Sequence, residues 1–140
     1  MTIRVVDAAP LVAVALTEPA AEMVANQMRR WGEDGHEIHA PTLLQYEITN
    51  SLVRAVADGR LVRGSLATKW AALERVPISY HPLDSDALRT AEIALLLRRR
   101  SAYDAAYIAL AERLGAELWT LDGPLFRNAS TLGLPVRMFP

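Results

Sequence analysis

The chain has 140 residues, 51% of them hydrophobic and 22% charged, which is typical of a globular protein with one sizeable core. Its formal net charge is −1, so there is no general excess of basic residues, and a polyanion would need a local basic patch. The absence of cysteine excludes disulfides and thiolate metal sites and fits a reducing cytoplasm. Neither a secretory leader nor a membrane-spanning run is recognised, so we expect a single cytoplasmic domain, residues 1–140.

Short apolar runs and helical periodicities alternate along the chain. The run at 3–6 predicts a buried strand, and Asp7 ends it before a helix over 8–16. Further strands are predicted at 37–40, 77–81, 117–121 and 136–139. Further helices are predicted at 19–31, from Thr42 to the Asp58-Gly59 pair, at 63–74, at 84–97, from Ser101 to Gly115, and briefly after Asp122. Thr42 and Gln45 are predicted to form a capping box at the start of their helix. The alternation predicts an α/β fold, a three-layer α/β/α sandwich around a central, mainly parallel sheet of about four to five strands.

Four acidic residues fall near one edge of this predicted sheet. Asp7 and Asp122 each follow a strand, at the carboxyl ends where parallel sheets bind ligands. Glu47 lies near the start of a helix that follows a strand. Asp104 lies in the first turn of a helix that follows another helix, so its placement at the same edge is less direct. We therefore expect a cluster of carboxylates at one edge of the sheet.

Each of these residues also has an ordinary structural explanation. Asp7 could cap the next helix, and Asp122 could belong to an Asp-Gly turn. Asp104 could form a capping box with Ser101, which we expect to be the N-cap. Glu47 lies past the first turn, so capping does not explain it, and a solvated helix flank is its alternative.

Taken together, the four carboxylates favour a cation site. Two unit charges ~4 Å apart repel by about 4 kcal/mol at an effective dielectric constant of ~20, so a cluster needs either retained protons or a cation. An all-oxygen set without cysteine indicates Mg²⁺ or Mn²⁺. The histidines offer no alternative site, because His36 and His39 are expected at the surface and His81 at a strand end.

Four segments carry a resemblance to a known family. They are VVDAAPLVA at the N-terminus, YEITNSL around Glu47, YDAAYIALA around Asp104 and TLDGPL around Asp122. In this order and spacing the chain resembles the PIN-domain family, and within it the VapC-type toxins of toxin–antitoxin pairs. The likeness covers nearly the whole chain. It implies a Mg²⁺-dependent endoribonuclease, the toxin component of a type II toxin–antitoxin pair, which hydrolyses RNA phosphodiesters.

The resemblance also implies roles for individual residues. The catalytic, metal-binding set is carried onto four positions: Asp7, Glu47, Asp104 and Asp122. Asn50 and Thr120 match polar positions beside that set, and Ala9 stands where many relatives have Ser or Thr. From the residues themselves, Arg98, Arg99 and Arg100 could hold RNA, with a solvated helix end as their alternative. Tyr46 and Tyr103 could stack bases, although buried packing is the expected role.

The partners implied by the resemblance are RNA, a small antitoxin protein and a second copy of the chain in a homodimer. An apolar surface for them is expected on the helices at 19–31 and 63–74, which carry Trp31 and Trp70. Core packing explains either tryptophan equally well.

Other functions remain open at this point. A PIN fold that binds metal or antitoxin without cleaving RNA is the main alternative. A phosphoacceptor receiver would need a lysine at the site, and the only lysine is Lys69, in a mid-chain helix. A haloacid-dehalogenase-like phosphatase would need a second Asp two residues after Asp7, where Ala9 stands.

Overall fold

In a computed structural model, which describes residues 2–140, five strands form one parallel sheet. The strands are β1 (Ile3–Val6), β2 (Glu37–Pro41), β3 (Ile78–His81), β4 (Glu117–Thr120) and β5 (Val136–Met138). Their order across the sheet is β3-β2-β1-β4-β5, and all four neighbouring pairs are parallel. The predicted parallel sheet is therefore confirmed, with strand ends within one residue of those expected.

Seven α-helices connect and cover the strands. They are α1 (Ala8–Ala15), α2 (Ala21–Glu33), α3 (Leu43–Ala57), α4 (Leu66–Glu74), α5 (Ala87–Leu96), α6 (Tyr103–Arg113) and α7 (Gly123–Thr131). The three-layer α/β arrangement is the one predicted. Two predicted helices begin instead with 3₁₀ turns, at Arg63–Ser65 and Asp84–Asp86. Within residues 2–140, none of the helices is long and apolar enough to cross a membrane.

The strand order places β1 at the centre of the sheet. The chain moves outward from β1 to β2 and β3 on one side, and then returns to β4 and β5 on the other. The direction of winding therefore reverses between β1 and β4. In open parallel sheets, ligands bind beyond the carboxyl ends of the strands at such a point. Asp7 follows β1 there, and Thr120 ends β4.

The helix α6 is the most deeply buried helix and supports this edge. Its residues from Ala105 to Ala111 are all buried, and it contacts β1, β2 and β4. The run of alanines suits this position, because small side chains let a helix approach a sheet closely. Trp31 lies elsewhere in the core. It is 3% exposed and packs edge-to-face on Trp119, with ring centroids 5.2 Å apart. Trp31 therefore belongs to the core and is not available to a partner.

Two predicted helix caps are wrong. Thr42 has helical backbone angles of its own (φ −57°, ψ −23°), and the described residues give its side chain no capping bond. Its predicted capping-box partner, Gln45, is bonded through the backbone N–H to the Thr42 carbonyl. Ser101 lies outside α6, which begins at Tyr103 after Ala102. The spacing of these residues fits a capping box, but both helices begin without the side-chain hydrogen bonds that define one.

The prediction that His39 lies at the surface is also wrong. It is 9% exposed, in the second strand of a sheet covered on both faces. Its ring stacks on His81, and its Nδ1 lies 2.8 Å from His81 Nε2. Its Nε2 lies 2.9 Å from Glu37 Oε2. His81 ends β3, as expected, and the two side-chain partners of His39 explain how a histidine is accommodated inside the sheet.

The protons of this histidine pair are assigned by the arginine beside it. Arg113 Nη2 lies 3.4 Å from His81 Nδ1, and a guanidinium can only donate, so His81 Nδ1 accepts. The His81 proton then lies on Nε2 and is donated to His39 Nδ1, and His39 Nε2 donates to Glu37. Both rings are neutral in this arrangement. Burial lowers the pKa of His81, and the positive charge of Arg113 adds to this effect.

Candidate active site

Asp7 lies at the end of the central strand and is the most strongly perturbed acid of the site. Its Oδ2 accepts a hydrogen bond of 2.6 Å from the hydroxyl of Thr120 on the neighbouring strand β4. The described residues include no capping bond from the Asp7 side chain to α1, so the capping explanation of Asp7 is wrong. Its Oδ1 is buried and finds no hydrogen-bond partner within residues 2–140. Burial raises the pKa of the Asp7 carboxyl to about 7. The Thr120 bond opposes this rise, whereas the Asp104 and Glu47 charges add to it.

Thr120 orients this carboxylate. Its side chain is fully buried at the end of β4, donates to Asp7 and accepts a bond of 3.1 Å from the backbone N–H of Asp122. A hydroxyl that both donates and accepts has a fixed direction, so it holds Asp7 in one orientation. Thr120, which the resemblance matched to a polar position beside the acids, therefore contacts Asp7 directly.

We expect Thr120→Val to lower the free energy of unfolding by about 1–3 kcal/mol, because it leaves a buried charged oxygen without its donor. Urea unfolding near pH 8, where Asp7 is ionised, measures this change. Thr90→Val is the matched control, because Thr90 is also buried (3% exposed) but its hydroxyl has no partner among the described residues. Equal losses in the two variants would contradict the role assigned to Thr120.

Glu47 is held by a residue that the sequence analysis missed. The hydroxyl of Tyr107, on α6, donates to Glu47 Oε1 on α3. Tyr107 is 1% exposed, and burial followed by this bond raises the pKa of its hydroxyl far above the usual range. Burial also raises the pKa of Glu47, with the Asp104 charge adding to the rise. Tyr107 lies one helical turn after Asp104, a spacing that places both on one face of α6 and could have revealed it.

Asp104 lies in the first turn of α6 without capping it. The described part of the helix includes no bond from its carboxylate to a backbone N–H, so the capping explanation is wrong. Its Oδ2 lies 4.0 Å from Arg99 Nη1 instead. Burial raises the pKa of Asp104. The Arg99 charge opposes this rise, and the Asp122 charge adds to it. Asp104 is therefore electrostatically coupled to the other acids.

Asp122 does have a structural role. It is the N-cap of α7, and its Oδ1 accepts a bond of 3.0 Å from the backbone N–H of Leu125. Asp122 is exposed, whereas Asp7, Glu47 and Asp104 are half-buried. One carboxylate oxygen is used by the cap, which fits the more peripheral position expected for Asp122.

The four carboxylates are linked by mutual charge effects. Glu47 and Asp7 are both shifted by Asp104, and Asp104 is shifted by Asp122. Within residues 2–140, however, no three Asp, Glu or His side chains are close enough together to form a complete ligand set for a metal ion. Apart from Asp7 Oδ1, each acid has its own partner in the chain. That unpaired, buried oxygen belongs to a carboxyl whose pKa is raised by the charges of Asp104 and Glu47, and it fits a divalent cation, because hard cations take oxygen ligands.

The remaining predicted residues lie around this edge. Asn50 is exposed one turn after Glu47 on α3, and its predicted role of orienting Glu47 or a water stays a prediction. Arg98, Arg99 and Arg100 are exposed in the segment that joins α5 to α6, and Arg99 is the one that approaches an acid. The sequence analysis missed one further cation, Arg127 on α7. Its guanidinium lies over Gly123, beside Asp122, and its Nη1 would be 3.1 Å from a Cβ if Gly123 carried one.

Comparison with known proteins agrees with this fold. The PIN-domain family model matches residues 4–130. Ribonuclease VapC3 of Pyrobaculum aerophilum is 30% identical over 135 residues, which are 94% of this chain and 98% of that protein. Ribonuclease VapC12 of Mycobacterium tuberculosis is 31% identical over 124 residues, 89% of this chain and 90% of that protein.

The fold is also found among solved structures. The crystal structure of PAE2754 from Pyrobaculum aerophilum superposes with a TM-score of 0.64 over 91% of this chain and 79% of that one, at 23% identity. That likeness supports the fold alone. The family match over most of the chain, with two relatives at 30% and 31% identity, confirms the resemblance: the chain belongs to the PIN-domain family and groups with its VapC proteins.

Proposed function

We propose that the chain is a Mg²⁺-dependent endoribonuclease, with Mn²⁺ as a possible substitute, and the toxin of a type II toxin–antitoxin pair. The observation that carries this proposal is the buried, unpaired Asp7 Oδ1, at the point where the sheet winding reverses and within the electrostatic influence of Glu47 and Asp104. The names of the VapC relatives support ribonuclease activity and a toxin role.

The carboxylates would hold the cation. Asp7, Glu47 and Asp104 are assigned as ligands, and Asp122, which already caps α7, as an outer or water-mediated one. Bound Mg²⁺ would lower the pKa of a water and neutralise charge on the scissile phosphate. Thr120 fixes the orientation of Asp7, and Tyr107 fixes that of Glu47. Raised carboxyl pKa values mean that protons compete for the same oxygens, so we expect cation binding to strengthen as the pH rises.

The RNA backbone needs cations near the acids. Arg98, Arg99 and Arg100 are exposed beside the start of α6, and Arg99 lies 4.0 Å from Asp104. We assign them to the phosphates that flank the scissile one, because guanidinium groups bind phosphate oxygens in pairs.

The antitoxin is assigned to an apolar groove between α2 and α4, the two helices on which a partner surface was expected. The groove has a volume of about 840 Å³ and is lined by Ala25 and Met28 from one helix and Ala72 and Leu73 from the other. Such a groove suits the apolar face of a partner helix. A homodimer is proposed as well, on the family resemblance.

RNA cleavage, measured with Mg²⁺ and with chelator, tests the proposed activity. We expect chelation, Asp7→Asn and Asp104→Asn each to reduce the cleavage rate at least about a hundredfold, because each removes metal-supported charge stabilisation. Asp34→Asn is the matched control, since Asp34 is exposed at the end of α2 and should retain full activity.

Two results would oppose this function. Cleavage that survives chelation, or both site substitutions, would contradict a metal-dependent nuclease. Metal or antitoxin binding without any cleavage by the unmodified chain would favour the alternative, a PIN fold that binds but does not cut.

A further inference from the structure

The turn that follows α5, residues 97–100, contains a strained residue, and we call it the arginine turn. Arg98 has a φ of 57°, in the left-handed region. Its backbone N–H bonds to the Leu95 carbonyl at 3.0 Å, and the N–H of Arg99 bonds to the Ala94 carbonyl at 2.9 Å. These two bonds form a Schellman motif, which ends a helix with one left-handed residue. That conformation costs a residue with a Cβ free energy that glycine does not lose.

The other helix ends of the chain show which residue is ordinary at this position. Four helices, α2, α3, α6 and α7, are followed by a left-handed glycine: Gly35, Gly59, Gly115 and Gly133. Among residues 2–140, the other non-glycine residue with a positive φ is Thr17 (54°), after α1. Glycine would make the turn at Arg98 with less strain, so the backbone geometry does not explain the arginine. Strained residues of this kind cluster at functional sites, which directs attention to the Arg98 side chain.

The arginine turn is held between two helices that carry acids of the candidate site. Asn128 Nδ2, on α7, donates a bond of 3.1 Å to the carbonyl oxygen of Leu97, the C-cap of α5. The same helix α7 begins at its N-cap, Asp122. On the other side, Arg99 Nη1 lies 4.0 Å from Asp104 Oδ2. The position of the turn relative to the acids is therefore fixed by contacts to both helices.

The guanidinium of Arg98 is available to a ligand. Arg98 is exposed, and the ion pairs described for residues 2–140 all involve other residues. Attraction to the C-terminal end of the α5 dipole does not require an arginine at this position, because Arg99 and Arg100 follow at the same helix end. An exposed guanidinium beside a phosphodiester-cleaving site fits a backbone phosphate, which it can bind through two N–H groups.

We propose that Arg98 binds an RNA phosphate next to the one that is cut, and that Asn128 is the positioning residue that holds the arginine turn in place for it. This inference rests on the proposed ribonuclease function and deepens it, because it separates a residue that contacts the substrate from one that acts through another. Neither side chain takes part in the bond-breaking step. The strain at Arg98 is then tolerated for the sake of substrate binding.

The salt dependence of RNA binding counts phosphate contacts and so tests this inference. Fluorescence anisotropy of labelled oligoadenylate is recorded from about 50 to about 200 mM KCl, with Ca²⁺ at a fixed concentration in place of Mg²⁺ to slow cleavage. Each contact to a single strand contributes about 0.7 to the slope of log K against log salt. We expect Arg98→Gly to weaken binding about 3- to 10-fold and to lower the slope by about 0.7. Arg98→Lys keeps the charge and should retain most of the slope.

Asn128→Ala provides the sharper test, because it removes no charge. Without the bond to Leu97 the arginine turn is no longer held to α7, so the slope should fall by part of the amount lost in Arg98→Gly. The double variant should lose no more than Arg98→Gly alone, because both changes act on one contact. Thr131→Ala is the matched control: it removes another side-chain hydrogen bond of α7, 2.8 Å long, that does not reach the turn, and it should keep the full slope.

Thermal unfolding separates the strain from the binding role. Arg98→Gly should have a Tm equal to that of the unmodified chain or higher by up to about 4 °C, because glycine relieves the left-handed strain. Thr17→Gly is the matched control, since Thr17 is exposed in the same kind of turn, with N–H bonds from Thr17 to Val14 and from Glu18 to Ala13. It should show a similar Tm effect without any loss of RNA binding.

Three outcomes would overturn the inference. An unchanged slope in Arg98→Gly would exclude the phosphate contact, and an unchanged slope in Asn128→Ala would exclude the positioning role. A Tm of Arg98→Gly clearly below that of the unmodified chain would show that the arginine stabilises the helix end instead. If the unmodified chain cleaves RNA with Mg²⁺ while both variants keep the full slope, only this inference fails. If the unmodified chain does not cleave RNA, the proposed function fails, whatever the slopes.

Discussion

Asp7→Asn is expected to stabilise the metal-free protein near neutral pH while it removes nuclease activity. The carboxylate of Asp7 is largely buried, has one unpaired oxygen and lies near two other acids, so its charge opposes folding. An amide is neutral, still accepts the Thr120 hydrogen bond and can donate towards Glu47 or Asp104. A pKa difference of one unit corresponds to about 1.4 kcal/mol. With allowance for partial exposure of the residue, we expect a gain of about 1–3 kcal/mol in the free energy of unfolding.

Urea unfolding with chelator, at about pH 8 and about pH 5, measures this gain. It should be largest at the higher pH and clearly smaller at the lower one, because at pH 5 the folded wild-type carboxyl is protonated and only part of the stability difference has developed. Asp34→Asn again serves as the control, because an exposed aspartate should show no gain at either pH. A variant that is less stable than wild type at pH 8 would show that the Asp7 charge does not destabilise the folded state.

The second large effect is the response of the wild-type protein to pH and metal. Without metal, the folded state binds a proton at Asp7 up to about pH 7, whereas the unfolded chain releases it near 3.8. Stability from this group is therefore fully present below about pH 4 and is lost as the pH rises through about 7. Glu47 and Asp104, whose pKa values are also raised, change stability in the same direction.

One group opposes this trend. His81 has a lowered pKa, so its contribution is present above about 6.5 and is lost as the pH falls. The difference between wild type and Asp7→Asn removes the His81 effect, which is common to both proteins. That difference isolates the titration of Asp7 and should grow between about pH 4 and about pH 7 and level off above it.

Mg²⁺ should reverse the loss near pH 8. A ligand at about a hundred times its dissociation constant stabilises the folded state by about 2.7 kcal/mol, and a metal that displaces protons binds better at higher pH. Thermal unfolding should show a rise of Tm with Mg²⁺ near pH 8, a smaller rise near pH 5, and a greatly reduced rise in Asp7→Asn. Equal rises in the variant and the wild type would place the metal away from Asp7.

The sheet could be predicted from the sequence because each strand is a short apolar run bounded by clear signals. Ile3 to Val6 followed by Asp7 is one example, and Glu117 to Thr120 followed by Asp-Gly-Pro is another. The positions of Asp7 and Asp122 follow directly from those boundaries, since both are at the carboxyl ends of neighbouring strands. The order of the strands cannot be predicted from such local patterns, because it depends on pairing between strands that are far apart in the sequence.

The family resemblance indicated Thr120 as a residue beside the acids, but the hydrogen bonds that the acids accept could not be predicted from local patterns. Thr120 and Asp7 are 113 residues apart, and Tyr107 and Glu47 are 60 apart, so no local pattern joins them. The burial of His39 was missed for the same reason, because its partner His81 is 42 residues away. Exposure of Tyr46 and Tyr103 was missed because an aromatic residue in a helix has the same local pattern whether a neighbouring helix covers it or not.

The long separation between Thr120 and Asp7 has a consequence for protein synthesis. Chains grow from the N-terminus, so β1 and Asp7 leave the ribosome long before β4 exists. Until Thr120 emerges, Asp7 has neither its hydrogen-bond donor nor the neighbouring strand that fixes its position. Nascent chains that stop before β4 therefore lack the complete candidate site. An activity that damages RNA would be withheld in this way until translation of the chain is nearly finished.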